Sequence, residues 1–249
     1  MGDSMKELII FDLDGTLAES KMPMDSEMSG LLRDLLQTRK VAVISGGAYP
    51  QFESQFLKSL DCPAELLKDL YLFPTCATSF YRYADGWGNV YKEELSPGER
   101  ERIKSAFSEA LSETGFIPIS KPFGEIIEDR GTQITFSALG QKAPIELKRE
   151  WDPDFSRRRR IKEALDRRIP EFEIRMGGAT SIDITRKGID KAYAIIQIEK
   201  QIGVSKADML FIGDALFEGG NDYPVKTTGV ECISVSGPAQ TKEVIRSLL

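Results

Sequence analysis

The stretch Glu7-Leu8-Ile9-Ile10-Phe11-Asp12-Leu13-Asp14-Gly15-Thr16-Leu17 runs apolar and then stops abruptly at two carboxylates, a glycine and a hydroxyl. A short continuous Leu/Ile/Phe run closed by a turn signal reads as a strand buried on both faces, and open α/β sheets carry their reactive groups just beyond the carboxyl ends of such strands. Asp12 then sits at that edge. Two carboxylates two positions apart cannot be buried there without something to neutralise them, because an unpaired buried carboxylate costs several kcal/mol. A magnesium ion is the natural partner.

The rest of the chain fits around this strand as alternating elements. Met28, Leu31, Leu32, Leu35 and Leu36 recur at helical spacing behind a capping Asp25 or Ser26. Lys40 to Ile44 is a second buried strand ending in Ser45-Gly46-Gly47, where a hydroxyl and closely approachable amides suit an anion. A helix over Pro50 to Leu60 and a strand over Tyr71 to Pro74 complete βαβ units. From about Phe80 the pattern changes to a hairpin (Phe80 to Tyr83, Val90 to Glu93), a helix near Pro97 to Thr114, strands near 125–128 and 132–137, a helix over 154–168, and strands at Phe172 to Met176 and Ser181 to Thr185. The parallel pattern returns after Gly188, with a helix carrying Lys191, a strand Met209 to Ile212 ending in Gly213-Asp214, a strand Glu231 to Val235 and a terminal helix entered at Pro238. The expected fold is therefore α/β, a doubly wound parallel Rossmann-like core over residues 1–81 and 188–249, with an α+β cap inserted at 82–187 and placed to act as a lid.

Composition narrows the chemistry. A net charge of −6 argues against a general nucleic-acid or membrane-surface binder. The absence of histidine excludes Ser-His-Asp hydrolysis, Cys-His proteolysis and His-ligated metals. Cys62, Cys76 and Cys232 are an odd number and far apart, so they read as small buried hydrophobes rather than a disulfide framework or zinc site. No apolar run reaches the roughly 18 residues of a membrane span, and a cytoplasmic location is the default. Arg157 to Arg160 read as the solvated side of a helix, and Tyr81, Tyr83, Trp87 and Tyr91 as sheet packing.

An apolar strand followed by Asp12-Leu13-Asp14-Gly15-Thr16 resembles the first signature of the haloacid dehalogenase superfamily of phosphotransferases. The resemblance implies that Asp12 is a nucleophile that becomes phosphorylated, Asp14 the general acid/base, and Ser45, with Gly46 and Gly47, a holder of the phosphoryl group. Asp12, Asp14 and Asp214, with Asn221 and Asp222 on the following loop, are the candidate magnesium ligands, and Lys191 offsets phosphoryl charge.

Gly177-Gly178-Ala179-Thr180-Ser181-Ile182-Asp183, Gly188-Ile189-Asp190-Lys191 and Gly213-Asp214 through Gly219-Gly220-Asn221-Asp222 further resemble the eukaryotic-type phosphomannomutases. That likeness implies that Ser181 and Asp183 contact the sugar, that cap arginines hold a distal phosphate, and that two copies pair through their caps as a homodimer. Gln141 stands where such an arginine is expected and Lys21 replaces another, while Arg130 or Arg175 can compensate. A neutral amide grips a phosphate less firmly than a bidentate guanidinium. The leading expectation is thus a magnesium-dependent sugar-phosphate phosphatase working through an aspartyl phosphate. Phosphomannomutase activity is the alternative, and a non-catalytic module resembling phospho-receivers is the second.

Overall fold

The apolar run forms β1 (Leu8–Asp12), with every residue buried. In the computed structural model, which describes residues 5–177 and 179–249, β1 is the third strand of a seven-stranded sheet and the middle one of its five parallel strands. Its other strands are β2 (Lys40–Ile44), β3 (Leu70–Phe73), β4 (Ser79–Tyr83), β5 (Trp87–Lys92), β10 (Met209–Gly213) and β11 (Glu231–Ser234), in the order β11-β10-β1-β2-β3-β4-β5. The pairs from β11 to β3 are parallel. Burial of β1 on both faces explains its unbroken apolar sequence. Ile9 and Phe11 pack with Met28, Leu32, Leu35, Phe52 and Ile245, whereas Leu8 and Ile10 pack with Ala194, Ile195 and Ile198. Asp25 caps the helix Ser26–Leu36 by accepting from Met28 N at 2.9 Å.

Register places the candidate residues together. Asp12 pairs with Ile44 and Phe11 with Ile212, so the next residues out of the sheet are Ser45 on one side and Gly213-Asp214 on the other.

The hairpin expected to begin the insert belongs instead to this sheet. β4 and β5 extend it antiparallel beyond β3, and Phe80 stacks on Phe73 with ring centroids 4.6 Å apart. The sequence shows where parallel pairing ends but not which sheet receives the hairpin. The expected junction at 81/82 consequently falls inside it, and the chain divides into one unit running up to Lys92 together with Ile189–Leu249, and a second unit, Glu93–Gly188. The aromatic residues of the hairpin pack as read: Tyr81 stacks on Tyr49 and Trp87 meets Tyr83 edge-on.

The second unit is an antiparallel sheet of β6 (Ile127–Asp129), β7 (Ile134–Ser137), β8 (Phe172–Gly177) and β9 (Ser181–Arg186), in the order β6-β7-β9-β8. Phe136, Ile174, Ile182 and Ile184 cover one of its faces and pack on Ile103 and Phe107 of the helix Pro97–Glu113 and on Ile161 and Leu165 of the helix Ser156–Arg168. Ser96 and Glu99 close a capping box at the start of the first helix. A further helix, Ile145–Trp151, carries too few apolar positions to be read from sequence.

The arginine run is not uniformly solvated. Arg158 is buried, and its Nε donates to Asp152 Oδ2 at 2.7 Å while Nη1 donates to Gly177 O at 3.2 Å. Gly178 of the Gly-Gly motif lies outside the described residues. The three cysteines are half-buried and free, more exposed than a core assignment required. Among the described residues, no helix is long and apolar enough to cross a membrane.

Candidate active site

Lys191 opens the helix Lys191–Ile202 one residue after its N-cap, Asp190, yet it is 1% exposed rather than a solvated helix lysine. Its Nζ donates to Asp12 Oδ1 at 2.5 Å and also to Asp222 Oδ1. Asp222 is itself fully buried, and its second oxygen accepts from Ala215 N at 2.9 Å. Burial, reinforced by the charges of Asp222 and Asp14, pushes the Asp12 carboxyl up to about 8 in spite of Lys191. Burial disfavours the lysine's charge too, but Asp12 and Asp222 outweigh it and raise its pKa above the ordinary value. Burial and the neighbouring Asp222 likewise raise Asp214.

One oxygen each from Asp12, Asp214 and Asp222 lie within 4.8 Å of one another. Three carboxyl groups face one lysine, too little positive charge to keep all of them ionised, and the donors are all hard oxygens, the set that magnesium prefers. Two glycines make this geometry possible. A Cβ on Gly15, which has φ +84°, would collide with Asp214, and one on Gly213 would collide with Asp222.

Asp14 lies outside this group. Its Oδ1 accepts from Lys21 N at 2.7 Å and Gln55 Nε2 at 3.0 Å, and its Oδ2 from Gln51 Nε2 at 2.7 Å. Its carboxylate is thus occupied by N–H donors and turned to the helix Tyr49–Gln55. Asn221 is exposed, unlike Asp222 beside it. Gln51 and Gln55 were not anticipated, although two amides four apart share one side of a helix and are a visible signal.

Ser45 is buried at the end of β2, and its Oγ accepts from Gly47 N at 3.0 Å, which curls the Ser45-Gly46-Gly47 loop. The neighbouring turn braces that loop, with Thr75 N donating to Gly47 O at 2.9 Å and Cys76 N to Ser45 O at 3.0 Å. Thr75, Cys76 and Ala77 hold φ of 48°, 51° and 65°. Each such left-handed non-glycine residue costs about 1–2 kcal/mol, a strain kept only where surrounding contacts over-determine it. Cys76→Gly should therefore raise stability by about 0.5–1 kcal/mol after the entropy of the added glycine is subtracted. Denaturant unfolding would show it, and a loss of stability would mean that the turn is not strained.

In the second unit, Asp183 Oδ1 accepts from Gln133 Nε2 at 2.8 Å and Thr135 Oγ1 at 2.7 Å, and the Ser181 and Ser137 hydroxyls lie 3.0 Å apart. Arg130 Nε donates to Glu128 Oε2 at 2.9 Å, and its Nη2 makes a long 3.5 Å approach to Gln141 Oε1. Arg175 pairs with Glu173 at 3.4 Å. Both guanidiniums therefore have a carboxylate beside them.

The fold compares with solved structures over nearly all of the chain. An N-terminally truncated IMP-nucleotidase of Plasmodium falciparum superposes with a TM-score of 0.73 at 17% identity, covering 98% of this chain and 70% of that one. A haloacid dehalogenase-like hydrolase from Bacteroides thetaiotaomicron gives 0.64 at 14%, covering 98% and 100%. Likeness at such identity speaks for the fold alone; together with the family model and curated relatives that follow, it makes the chain an enzyme of the haloacid dehalogenase phosphotransferase kind. The family model for eukaryotic phosphomannomutase matches residues 28–249, and the chain belongs to that family. A phosphomannomutase of Encephalitozoon cuniculi is 28% identical over 97% of this chain and 93% of its own, and human phosphomannomutase 1 is 24% identical over 94% and 89%.

Proposed function

We propose that this sugar-phosphate phosphotransferase is a mutase of the phosphomannomutase type, moving a phosphoryl group between two hydroxyls of a hexose, rather than the phosphatase that the sequence favoured. The family match across both units carries this choice, because a hydrolase preference rested only on Gln141 and Lys21.

On this reading, an Asp12 carboxylate oxygen attacks phosphorus in line with the ester oxygen. The P–O ester bond breaks, its electron pair stays on the sugar oxygen, and Asp14 supplies the proton. The acceptor hydroxyl then attacks the aspartyl phosphate, yields its proton to Asp14 and releases Asp12. Ser45 and the amides of Gly46 and Gly47 hold the non-bridging oxygens, and Lys191 aims Asp12. Asp12, Asp214 and Asp222 would hold magnesium, which supplies charge neutralisation at the phosphoryl oxygens when bound. Ser181 and Asp183 take the sugar, with Arg130 and Gln141 on its distal phosphate. The setting is cytoplasmic, and two copies pair through the second unit.

Supplying a hexose 1-phosphate with and without a hexose 1,6-bisphosphate, and measuring isomerised sugar phosphate against free phosphate, tests the reading. Isomerisation should depend on the bisphosphate and outpace phosphate release. Phosphate release as the main product would restore the phosphatase.

A further inference from the structure

The groups that grip Asp14 point to a role for the helix Tyr49–Gln55 that the mechanism has not used. Gln51 and Gln55 are one helical turn apart, so both amides reach the same side of the helix. Gln51 Nε2 donates to Asp14 Oδ2 at 2.7 Å and to Gln55 Oε1 at 2.9 Å. Gln55, 2% exposed, donates to Asp14 Oδ1 at 3.0 Å, with Glu19 O a longer 3.4 Å away. Only the nitrogen of an amide can donate to a carboxylate, which fixes the orientation of both side chains.

A second contact links the same glutamine to the Ser45 loop. The Gln51 amide lies so close over Gly47 that a Cβ at position 47 would collide with it. Gln51 therefore touches both the loop read as holding the phosphoryl oxygens and the carboxylate read as moving the proton. It does so from a helix anchored by Phe52, which is fully buried in the core.

We propose that Gln51 and Gln55 are positioning residues that clamp the Asp14 carboxylate in register with the Ser45-Gly46-Gly47 loop, so that proton delivery to the departing sugar oxygen is aligned. The proposal rests on the reading of Asp14 as the proton-transfer group. It applies equally whether the acceptor of the phosphoryl group is water or a sugar.

The clamp has a signature that a merely structural role lacks. A sugar alkoxide leaves only with a proton, so its departure needs Asp14 in place. The p-nitrophenolate of p-nitrophenyl phosphate departs with its electron pair as the free anion and needs none. The quantity to measure is kcat/KM with each compound supplied as the phosphoryl donor and no bisphosphate present, which reports steps only through departure of its leaving group.

Gln51→Met keeps the length and removes the donor. It should lower kcat/KM for a hexose phosphate about 10-fold or more, in line with the cost of a misplaced group, and change that for p-nitrophenyl phosphate by less than about 3-fold. Gln51→Lys, which restores a donor, should recover the wild-type ratio between the two substrates. Gln51→Glu, isosteric but facing Asp14 with a like charge, keeps the test alive if the methionine variant fails to fold. It should lose hexose phosphate turnover selectively and more severely. Equal losses on both substrates, or no loss on either, would overturn the clamp. Failure of the mutase reading shows elsewhere, as phosphate release by the wild-type protein in place of isomerisation.

Discussion

Asp12→Asn should leave the protein folded and abolish phosphoryl transfer, with a loss in kcat of at least about 10⁴-fold, the scale expected when a covalent nucleophile is removed. The amide keeps the size of the carboxylate and relieves the burial that presses on it, so Lys191 retains Asp222 as a partner. What disappears is the anionic oxygen that would attack phosphorus. Acid-quenched protein incubated with a radiolabelled sugar phosphate should carry label in the wild type and none in the variant. Turnover that survives the substitution would remove Asp12 from the reaction and favour a binding role for the acidic pocket.

Lys191→Met should act on stability as strongly as on rate. It removes the cation that bridges two buried carboxylates, and an uncompensated buried charge of this kind costs about 3–5 kcal/mol. Magnesium should stabilise the variant more than it stabilises the wild type, because a ligand that binds only the folded state stabilises by mass action and the variant's pocket no longer holds a cation that repels magnesium and competes for Asp12 and Asp222. Denaturant unfolding with magnesium and with a chelator would measure both gains. Equal gains, or none, would mean that Asp12, Asp214 and Asp222 do not form the cation site.

The central sheet was legible because β1, β2, β3 and β10 are short apolar runs ended by a polar, glycine or proline signal, and a strand buried on both faces has no other way to be written. Asp12, Ser45 and Asp214 were found for the same reason, since each follows such a run. The hairpin β4–β5 was recognised but misassigned, because alternation describes a pair of strands and carries no label for the sheet that will receive them. Arg158 was read as solvated because the run that contains it looks uniform. Its burial depends on Asp152, which is contributed from outside the helix. Gln51 and Gln55 escaped because an amide has no charge to draw the eye and acquires meaning only from the carboxylate it meets, some forty positions earlier in the chain for Gln55.

The apolar nature of β1 on both sides has a consequence for how the sheet is threaded. Elsewhere, an alternating pattern penalises a strand that slides by one place, since every side chain changes sides. Along Leu8–Phe11 such a slide exchanges one greasy residue for another and costs little. Drawing position 12 one step inward, however, would carry a carboxylate away from its lysine and into hydrocarbon. The same group that is read as reacting with phosphorus thus also indexes the central strand, and an apolar substitution there would blur the alignment of its neighbours as well as silence the chemistry.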